Sequence, residues 1–273
     1  MTHHHHVPEF PLNQFIAGFT YYKDYQAQHR VDRFLPNGNT EVIIDFTGET
    51  KHIYDNETLR PIQDCKKVWI SGIRNHFITI PSGADAEMFI IEFKKGMAHP
   101  FLGRPLTEIT DRVIDADLVL NPVFTELRER LLAEPTTVGM FATAEGILYN
   151  HFRPRLAVNP FVDFAVNRML ADPRNATIAA IAAKTGYSGK HFIKIFASQV
   201  GVNPKAFLRI IRFQKAIAEI GQHGNINWAA LALECGYYDQ AHFIAHFKAF
   251  TGFTPVNYMR QRTGEFTDYI AIG

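Results

Sequence analysis

Four residues near position 190 have the spacing of one helix face and side chains that suit a hydrogen-bonding surface. Lys190, Ile193, Lys194 and Ala197 are three, one and three residues apart, and residues three or four apart share a face of an α-helix. The lysines donate hydrogen bonds, whereas the other two side chains offer apolar contact. This face predicts binding to a surface that is rich in acceptors and negative charge.

A second face with the same spacing lies fifty-one residues further along the chain. It consists of Ala241, Ile244, Ala245 and Lys248, so it has one charged donor. Polar residues at the start of each face complete the set of candidate binding residues. In the first they are Ser188 and His191, and in the second they are Asp239, Gln240 and His242.

The two faces belong to a segment that occurs twice. Residues 177–200 read TIAAIAAKTGYSGKHFIKIFASQV, and residues 227–251 read NWAALALECGYYDQAHFIAHFKAFT. The offset is fifty residues up to the GY pair of each copy and fifty-one from the next phenylalanine onward. The second copy therefore has one extra turn residue, at a place where insertions are tolerated.

Each copy has the local pattern of two helices that meet at an angle. An alanine-rich amphipathic run stops at Gly186 or Gly236, since glycine adopts positive φ readily, and a second helix follows shortly. Ser188 and Asp239 are expected to cap that second helix. A helix-turn-helix is predicted in each copy, with the polar face of its second helix in the major groove of DNA.

The distribution of charged residues along the chain supports the prediction of DNA binding. Residues 161–273 contain 12 Lys and Arg against 7 Asp and Glu, and the rest of the chain contains 16 against 20. The near-neutral total thus hides a basic C-terminal part, which a phosphate-binding surface requires. The structural alternative is a helical repeat that packs only against itself, but solenoids need about three or more units.

The last hundred or so residues resemble the AraC/XylS family of bacterial transcription regulators. The resemblance is carried by GYSGKHFIKIF, by GYYDQAHFIAHFK and by the closing TGFTPVNYMRQR. It implies two helix-turn-helix modules joined by a linker helix at about residues 204–221. They would present two recognition helices to adjacent major-groove segments of double-stranded DNA.

The chain departs from this family at Ala245, where members commonly have an arginine. Alanine cannot make the bidentate guanine contact of an arginine. We therefore expect the first module to read bases and the second mainly to hold the DNA backbone.

The first part of the chain has the pattern of short strands. Apolar runs at 40–47, 66–71, 76–80 and 86–94 are separated by turn residues. Two amphipathic helices are expected from 120–132 and 138–152. The predicted fold class is α+β: a β-rich barrel or sandwich with these two helices at 1–153, a linker at 154–160, and an all-α pair of helix-turn-helix modules at 161–265.

Residues 30–132 also resemble a cupin-like sensor domain that is found fused to AraC-type modules. The resemblance is carried by FLPNGNTEVIIDFTGE, SGIRNHFITIP and GMAHPFLGRPLTEITDRV, and it implies sensing or oligomerisation. If strands 40–94 enclose an effector cavity, Tyr22, Arg74 and His76 are the candidate polar ligands, although each also fits a surface role.

Other functions have little support in the sequence. His29, His52, His76 and His99 are too far apart for the close HxH pair of metal-binding cupins, and Cys65 and Cys235 suggest no disulfide or nucleophile. Motifs of known enzyme classes are lacking, so we expect no catalysis, cofactor or metal. His3 to His6 form a histidine tract to which we assign no function.

We expect the protein to be a soluble cytoplasmic regulator, since no apolar run is long enough to span a membrane. A small-molecule effector, a homodimer and a contact with RNA polymerase stay open as further partners. The competing hypothesis is a protein-interaction module in which a degenerate helix-turn-helix pair has lost DNA binding.

Overall fold

The computed structural model describes residues 2–27, 29–119, 122–222, 226–261 and 269–272. Its strands are β1 (Thr2–His6), β2 (Ile16–Gln26), β3 (Val31–Phe34), β4 (Glu41–Asp45), β5 (Lys51–Tyr54), β6 (Pro61–Cys65), β7 (Val68–Ser71), β8 (Ile78–Pro81), β9 (Ala84–Phe93), β10 (Val113–Asp115) and β11 (Tyr269–Ile272).

Helices fill most of the second half of the chain. They are α1 (His99–Leu102), α2 (Ala116–Val119), α3 (Val123–Leu132), α4 (Thr137–Phe152), α5 (Pro160–Ala171), α6 (Ile178–Thr185), α7 (Gly189–Val200), α8 (Pro204–Gln222), α9 (Trp228–Glu234), α10 (Gln240–Thr251) and α11 (Pro255–Gln261). Short 3-10 turns lie at Leu12–Gln14 and Leu106–Glu108.

The strands form two antiparallel sheets. The first has the order β1-β2-β9-β4-β7-β10, and the second has the order β11-β3-β8-β5-β6. Between them lies a small apolar cluster with Ile43 and Trp69 from the first sheet and Ile53 and Cys65 from the second. Of the predicted barrel or sandwich, the structure has the sandwich, and each of the four predicted apolar runs overlaps a strand.

The central strands of the first sheet are buried on both faces. The sheet's other face carries Ile44, Ile70 and Phe89, which share one core with residues of α3 and α4. Burial on both sides explains why β4 reads as a continuous apolar run and does not alternate. The two helices predicted after the strands are confirmed, except for residues 120 and 121, which lie outside the described residues.

The helical part contains two copies of one motif. The pairs α6 with α7 and α9 with α10 are the two helix-turn-helix units, and α8 runs between them. The linker helix predicted at 204–221 is confirmed as α8, 19 residues long. Its apolar face, which includes Phe207, Ile210 and Phe213, lies in the core of both modules.

One strand lies beyond residues 161–265, for which the sequence predicted helices. After α11, residues Tyr269–Ile272 pair antiparallel with β3 and join the edge of the second sheet. Ile270 is buried in the core of the helical part. The helices are therefore followed by a strand that belongs to the second sheet of the N-terminal part.

Candidate nucleic-acid interface

The first recognition helix, α7, is set by local capping. Thr177 caps α6 by accepting a hydrogen bond from the Ala180 amide, and α6 ends at Gly186, whose φ is 72°. Ser188 then caps α7, since its Oγ accepts a hydrogen bond from the His191 amide at 3.3 Å. A cap of this kind typically contributes about 1 kcal/mol. The predicted turn glycine and N-cap are both confirmed.

Two faces of α7 differ sharply in exposure. Phe192, Phe196 and Val200 are buried in the core of the module. Lys190, His191, Ile193 and Lys194 are exposed, and Ala197 is half-buried. The exposed face thus presents two cationic donors, an imidazole and one apolar side chain that is 44% exposed. This combination suits contact with phosphates and base edges.

The second recognition helix, α10, has the same construction with fewer donors. Asn227 caps α9, and Asp239 caps α10 by accepting a hydrogen bond from the His242 amide at 2.7 Å. Gly236 has a φ of 85°, and a Cβ there would lie 2.8 Å from Nε of Arg212. Any larger residue would collide with the linker helix at this turn.

Exposure on α10 agrees with the predicted face except at one position. Ala241, Ala245 and Lys248 are exposed, and so are Gln240 and His242. Ile244 is half-buried, because it packs against the core of the module. It therefore offers less apolar surface to a thymine methyl than Ile193 of α7.

A cluster of cationic and titratable side chains adjoins α10, and sequence reasoning missed most of it. His242 and His246 approach Nε2 to Nε2 at 3.2 Å. Burial, followed by the charges of His242, Arg209 and Lys205, lowers the pKa of His246 to about 4. Arg209 lies over the Phe250 ring at 5.1 Å. The spacing of the two histidines, four residues apart on a helix, was the available signal.

The proposed ligands of an effector cavity are not brought together. The Tyr22 hydroxyl donates to Sδ of Met88 at 3.0 Å, and β2 and β7 are separated by β9 and β4. Three strand spacings are roughly 14 Å, so Tyr22 on β2 is far from Arg74, which follows β7.

Arg74 and His76 share the neighbourhood of one carboxylate. The His76 side chain is 68% exposed, and its Nδ1 lies 3.9 Å from Asp111. Burial lowers the pKa of Arg74, while the charge of Asp111 acts in the opposite direction. The two residues thus lie in a loop beyond β7, while the space between the sheets is filled by the Ile43 and Trp69 cluster.

A cleft lies elsewhere, between the two halves of the molecule. It has a volume of about 560 Å³. Its polar lining includes His99 at the start of α1, Arg155 and Asn159 between α4 and α5, and Gln199 near the end of α7. Burial lowers the pKa of His99, which keeps this ring neutral.

The remaining candidate metal ligands have protein partners of their own. His29 contacts Asp32 at 2.6 Å, and His52 contacts Asp64 at 2.8 Å. Within the ranges that the structure describes, no three His, Cys, Asp or Glu side chains converge in a metal-binding arrangement. Cys65 and Cys235 are both free and buried.

Two family models cover most of the chain. Residues 181–261 match the family described as a helix-turn-helix domain. Residues 4–115 match a domain of unknown function, DUF6597. An uncharacterized HTH-type transcriptional regulator of Haemophilus influenzae is 33% identical over 97 residues, 35% of this chain. The match spans 32% of that relative.

The chain is also similar to several solved structures, including ToxT and a domain of AraT. ToxT from Vibrio cholerae is 12% identical with a TM-score of 0.46, and the alignment covers 90% of this chain and 99% of ToxT. The C-terminal domain of AraT, a response regulator from Geobacillus stearothermophilus, is 24% identical with a TM-score of 0.37. That alignment covers 40% of this chain and 93% of the AraT domain.

The capped, repeated helix pairs define a double helix-turn-helix, which is a DNA-binding architecture of transcription regulators. The family match places residues 181–261 in that class. The C-terminal part of this chain therefore contains a helix-turn-helix domain. No helix of the described residues is long and apolar enough to cross a membrane.

Proposed function

We propose that the protein is a one-component transcription regulator that binds duplex DNA sequence-specifically through both helix-turn-helix modules. The observation that carries the proposal is the exposed face of α7, where Lys190 and Lys194 stand on a capped helix with a fully buried opposite side. Lysines that are fixed in this way can reach base edges in the major groove.

The linker helix suits two adjacent groove segments. With 19 residues, α8 is roughly 28 Å long at about 1.5 Å per residue. One turn of DNA rises about 34 Å. Two modules at the ends of such a helix can face successive major-groove segments on one side of the duplex.

The two modules have different tasks in this proposal. The module of α7 reads bases through Lys190, Ile193 and Lys194. The module of α10, whose exposed face has Lys248 as its charged donor, anchors the DNA backbone. The half-buried position of Ile244 supports this division, because it removes an apolar contact from the second face.

A salt titration tests DNA binding against the alternative of a protein-interaction module. The affinity of the full chain for a duplex from its own promoter region is measured from about 50 to 200 mM salt, with a shuffled duplex as control. Sequence-preferring binding that weakens by a factor of about 10³ or more supports the proposal, since released counterions dominate such binding. Failure to bind any duplex would overturn it.

The N-terminal domain acts as the sensor in this proposal, and the interdomain cleft is the effector site. Its volume lies in the range of about 300–1,000 Å³ that small-molecule sites occupy. A ligand that contacts Arg155 and Gln199 would touch both the segment before α5 and the recognition helix α7.

A thermal-shift screen of small metabolites against the full chain tests this assignment. A ligand should raise the melting temperature by mass action, and Arg155→Ala should remove the shift, whereas Arg153→Ala at a neighbouring exposed position should not. A hit that survives Arg155→Ala would place the effector elsewhere. A broad screen without hits would leave dimerisation as the role of this domain.

A further inference from the structure

His242 and His246 form a pair that has room for one shared proton. Their Nε2 atoms are 3.2 Å apart, and the ring centroids are 4.2 Å apart. At this distance one Nε2 donates and the other accepts, so both nitrogens cannot carry a proton at once. Nδ1 of His246 is buried and has no hydrogen-bond partner among the described residues.

The surroundings of this pair are positive. Arg209 and Lys205 come from α8, and their charges together with that of His242 act on His246. Tyr237, in the turn before α10, packs against His246 with the ring centroids 5.9 Å apart. Glu234 of α9 and Arg260 of α11 are exposed, and neither is among the charges that shift the pKa of His246.

Two orphaned polar groups adjoin the pair. Nε of Arg209 and the Tyr237 hydroxyl are buried and have no hydrogen-bond partner among the described residues. The charge of Arg209 acts on Tyr237, so the two side chains are neighbours. A cluster with several unmet donors and a net positive charge requires an explanation beyond packing, and it attracts an anion and repels a metal cation.

The cluster lies where a DNA backbone would pass. On α10, His242 and His246 flank the exposed face of Ala241, Ala245 and Lys248 on the side of α8, given the helical period of about 3.6 residues. When a recognition helix enters the major groove, the residues beside its central face meet the phosphates that border the groove.

We propose that His242, His246, Lys205 and Arg209 form a binding site for a backbone phosphate of DNA, and that the histidine pair takes up a proton when the phosphate binds. This inference rests on the proposed DNA binding and adds a pH dependence to it. Burial and, to a smaller extent, the neighbouring positive charges keep His246 neutral in the free protein, and the phosphate offsets those charges. The proton then comes from solvent and remains on the imidazole pair.

The repeat supplies a matched control within the chain. His191 is the counterpart of His242 at the offset of fifty-one, but the counterpart of His246 is Ile195. Likewise, Tyr187 packs on His191 with the ring centroids 4.8 Å apart, as Tyr237 packs on His242. The first module thus has one histidine at this place and lacks the pair.

The experiment measures the dissociation constant of the full chain for a random duplex of about 20 base pairs between pH 5.5 and 8.0, with EDTA present to exclude metal ions. Uptake of one proton weakens binding by up to tenfold for each unit that the pH rises. We expect His246→Gln to flatten this profile far more than His191→Gln does, because the first module lacks the second histidine of the pair. Lys205→Ala should weaken binding to all duplexes alike and reduce the salt slope by about one.

Each outcome separates the inference from the proposed function. DNA binding with a flat pH profile in the wild type, or a slope that survives His246→Gln, overturns the inference and leaves DNA binding intact. If His191→Gln removes the pH dependence of binding, the proton is taken up by the first module, and this result also overturns the inference. Circular dichroism and melting curves at each pH confirm that the variants are folded.

Discussion

The two recognition helices differ at two pairs of equivalent residues, where α7 has Lys190 and Lys194 and α10 has Ala241 and Ala245. Lys194 of α7 and Ala245 of α10 are fifty-one residues apart and both are exposed. A lysine can bind the acceptors of guanine, whereas an alanine offers only a methyl group. The difference between base reading and anchoring therefore depends largely on these two positions.

Replacing Lys194 by alanine should reduce sequence discrimination. Loss of a base-edge contact costs about 1–3 kcal/mol at the preferred site and less on random DNA. The dissociation constants for both duplexes would be measured by fluorescence anisotropy. Lys184→Ala, an exposed lysine on α6, is the control of equal charge. Equal losses on both duplexes would show that Lys194 contacts only phosphate.

The substitution Ala245→Arg should strengthen binding. Position 245 is exposed on α10, so an arginine fits without repacking and adds attraction to phosphates. We expect tighter binding to many duplexes, with the largest gain where a guanine lies within reach of the guanidinium group. Ala249→Arg, one turn further along on an exposed position, separates the added charge from the position. Unchanged affinity of Ala245→Arg would mean that α10 does not face the groove here.

The buried environment of His246 should also affect stability in acid. Burial, more than the nearby cations, lowers its pKa from 6.5 to about 4. In this window the unfolded chain binds more protons than the folded one, so stability falls as the pH decreases from 6.5 to 4. The melting temperature of His246→Gln should decline less over this range. If the melting temperatures of the wild type and the variant decline in parallel, the lowered pKa of His246 is contradicted.

At the scale of elements, sequence reasoning succeeded where local chemistry determines the structure. The N-caps, the turn glycines and the apolar stripes of α7 and α10 all follow from neighbours within about four residues. The same reasoning could not find the interdomain cleft or the cluster around His246, because these unite residues of separate elements. Ile244 illustrates the limit, since helical spacing placed it on the exposed face and tertiary packing half-buries it.

Double substitutions should reveal which recognition helix reads sequence. Lys190→Ala with Lys194→Ala removes both lysines from the exposed face of α7, and Gln240→Ala with Lys248→Ala removes polar groups from α10 without touching the core. Binding-site selection with each double variant would compare the consensus sequences. We expect the first pair to erase more of the consensus. The opposite result would reverse the assignment of reader and anchor.

At the scale of the whole molecule, the two modules contact the N-terminal domain in the same way. Gly201 and Gly252 are repeat counterparts that follow α7 and α10. A Cβ at Gly201 would lie 2.6 Å from Ile73, and one at Gly252 would lie 2.5 Å from Arg33. Both have a positive φ at the C-terminal end of their helix, a conformation that glycine adopts readily. Their second requirement, close approach to another domain, appears only in the folded chain.

Hydrogen bonds reinforce both contacts. The Thr110 hydroxyl donates to the Gly201 carbonyl at the end of α7. Nη1 of Arg33 donates to the Thr251 carbonyl at the end of α10 at 3.1 Å, and the Arg33 guanidinium lies over the Phe77 and Phe253 rings. The N-terminal domain thus holds the C-terminal ends of both recognition helices.

No local signal in the sequence indicated that the N-terminal domain contacts the ends of both recognition helices. Strand β11 pairs with β3 across more than two hundred residues, and the run YIAI is too short to specify a partner by itself. Pairings between residues so far apart are decided by the shape of the folded domains. The sandwich and the helix-turn-helix repeat were predictable, but their docking was not.

Because the N-terminal domain contacts the C-terminal ends of both recognition helices, we expect it to fix the distance between them. Weakening these contacts should make that distance more variable. Arg33→Met with Thr110→Val removes both hydrogen bonds but keeps most of the apolar packing. The affinity would be measured for the preferred site and for sites whose two halves are moved apart or together by one base pair. We expect the wild type to lose affinity at the altered spacings and the double variant to lose clearly less. Arg30→Met, an exposed arginine before β3, is the control. If the double variant discriminates spacing as sharply as the wild type, then α8 alone sets the distance between the modules.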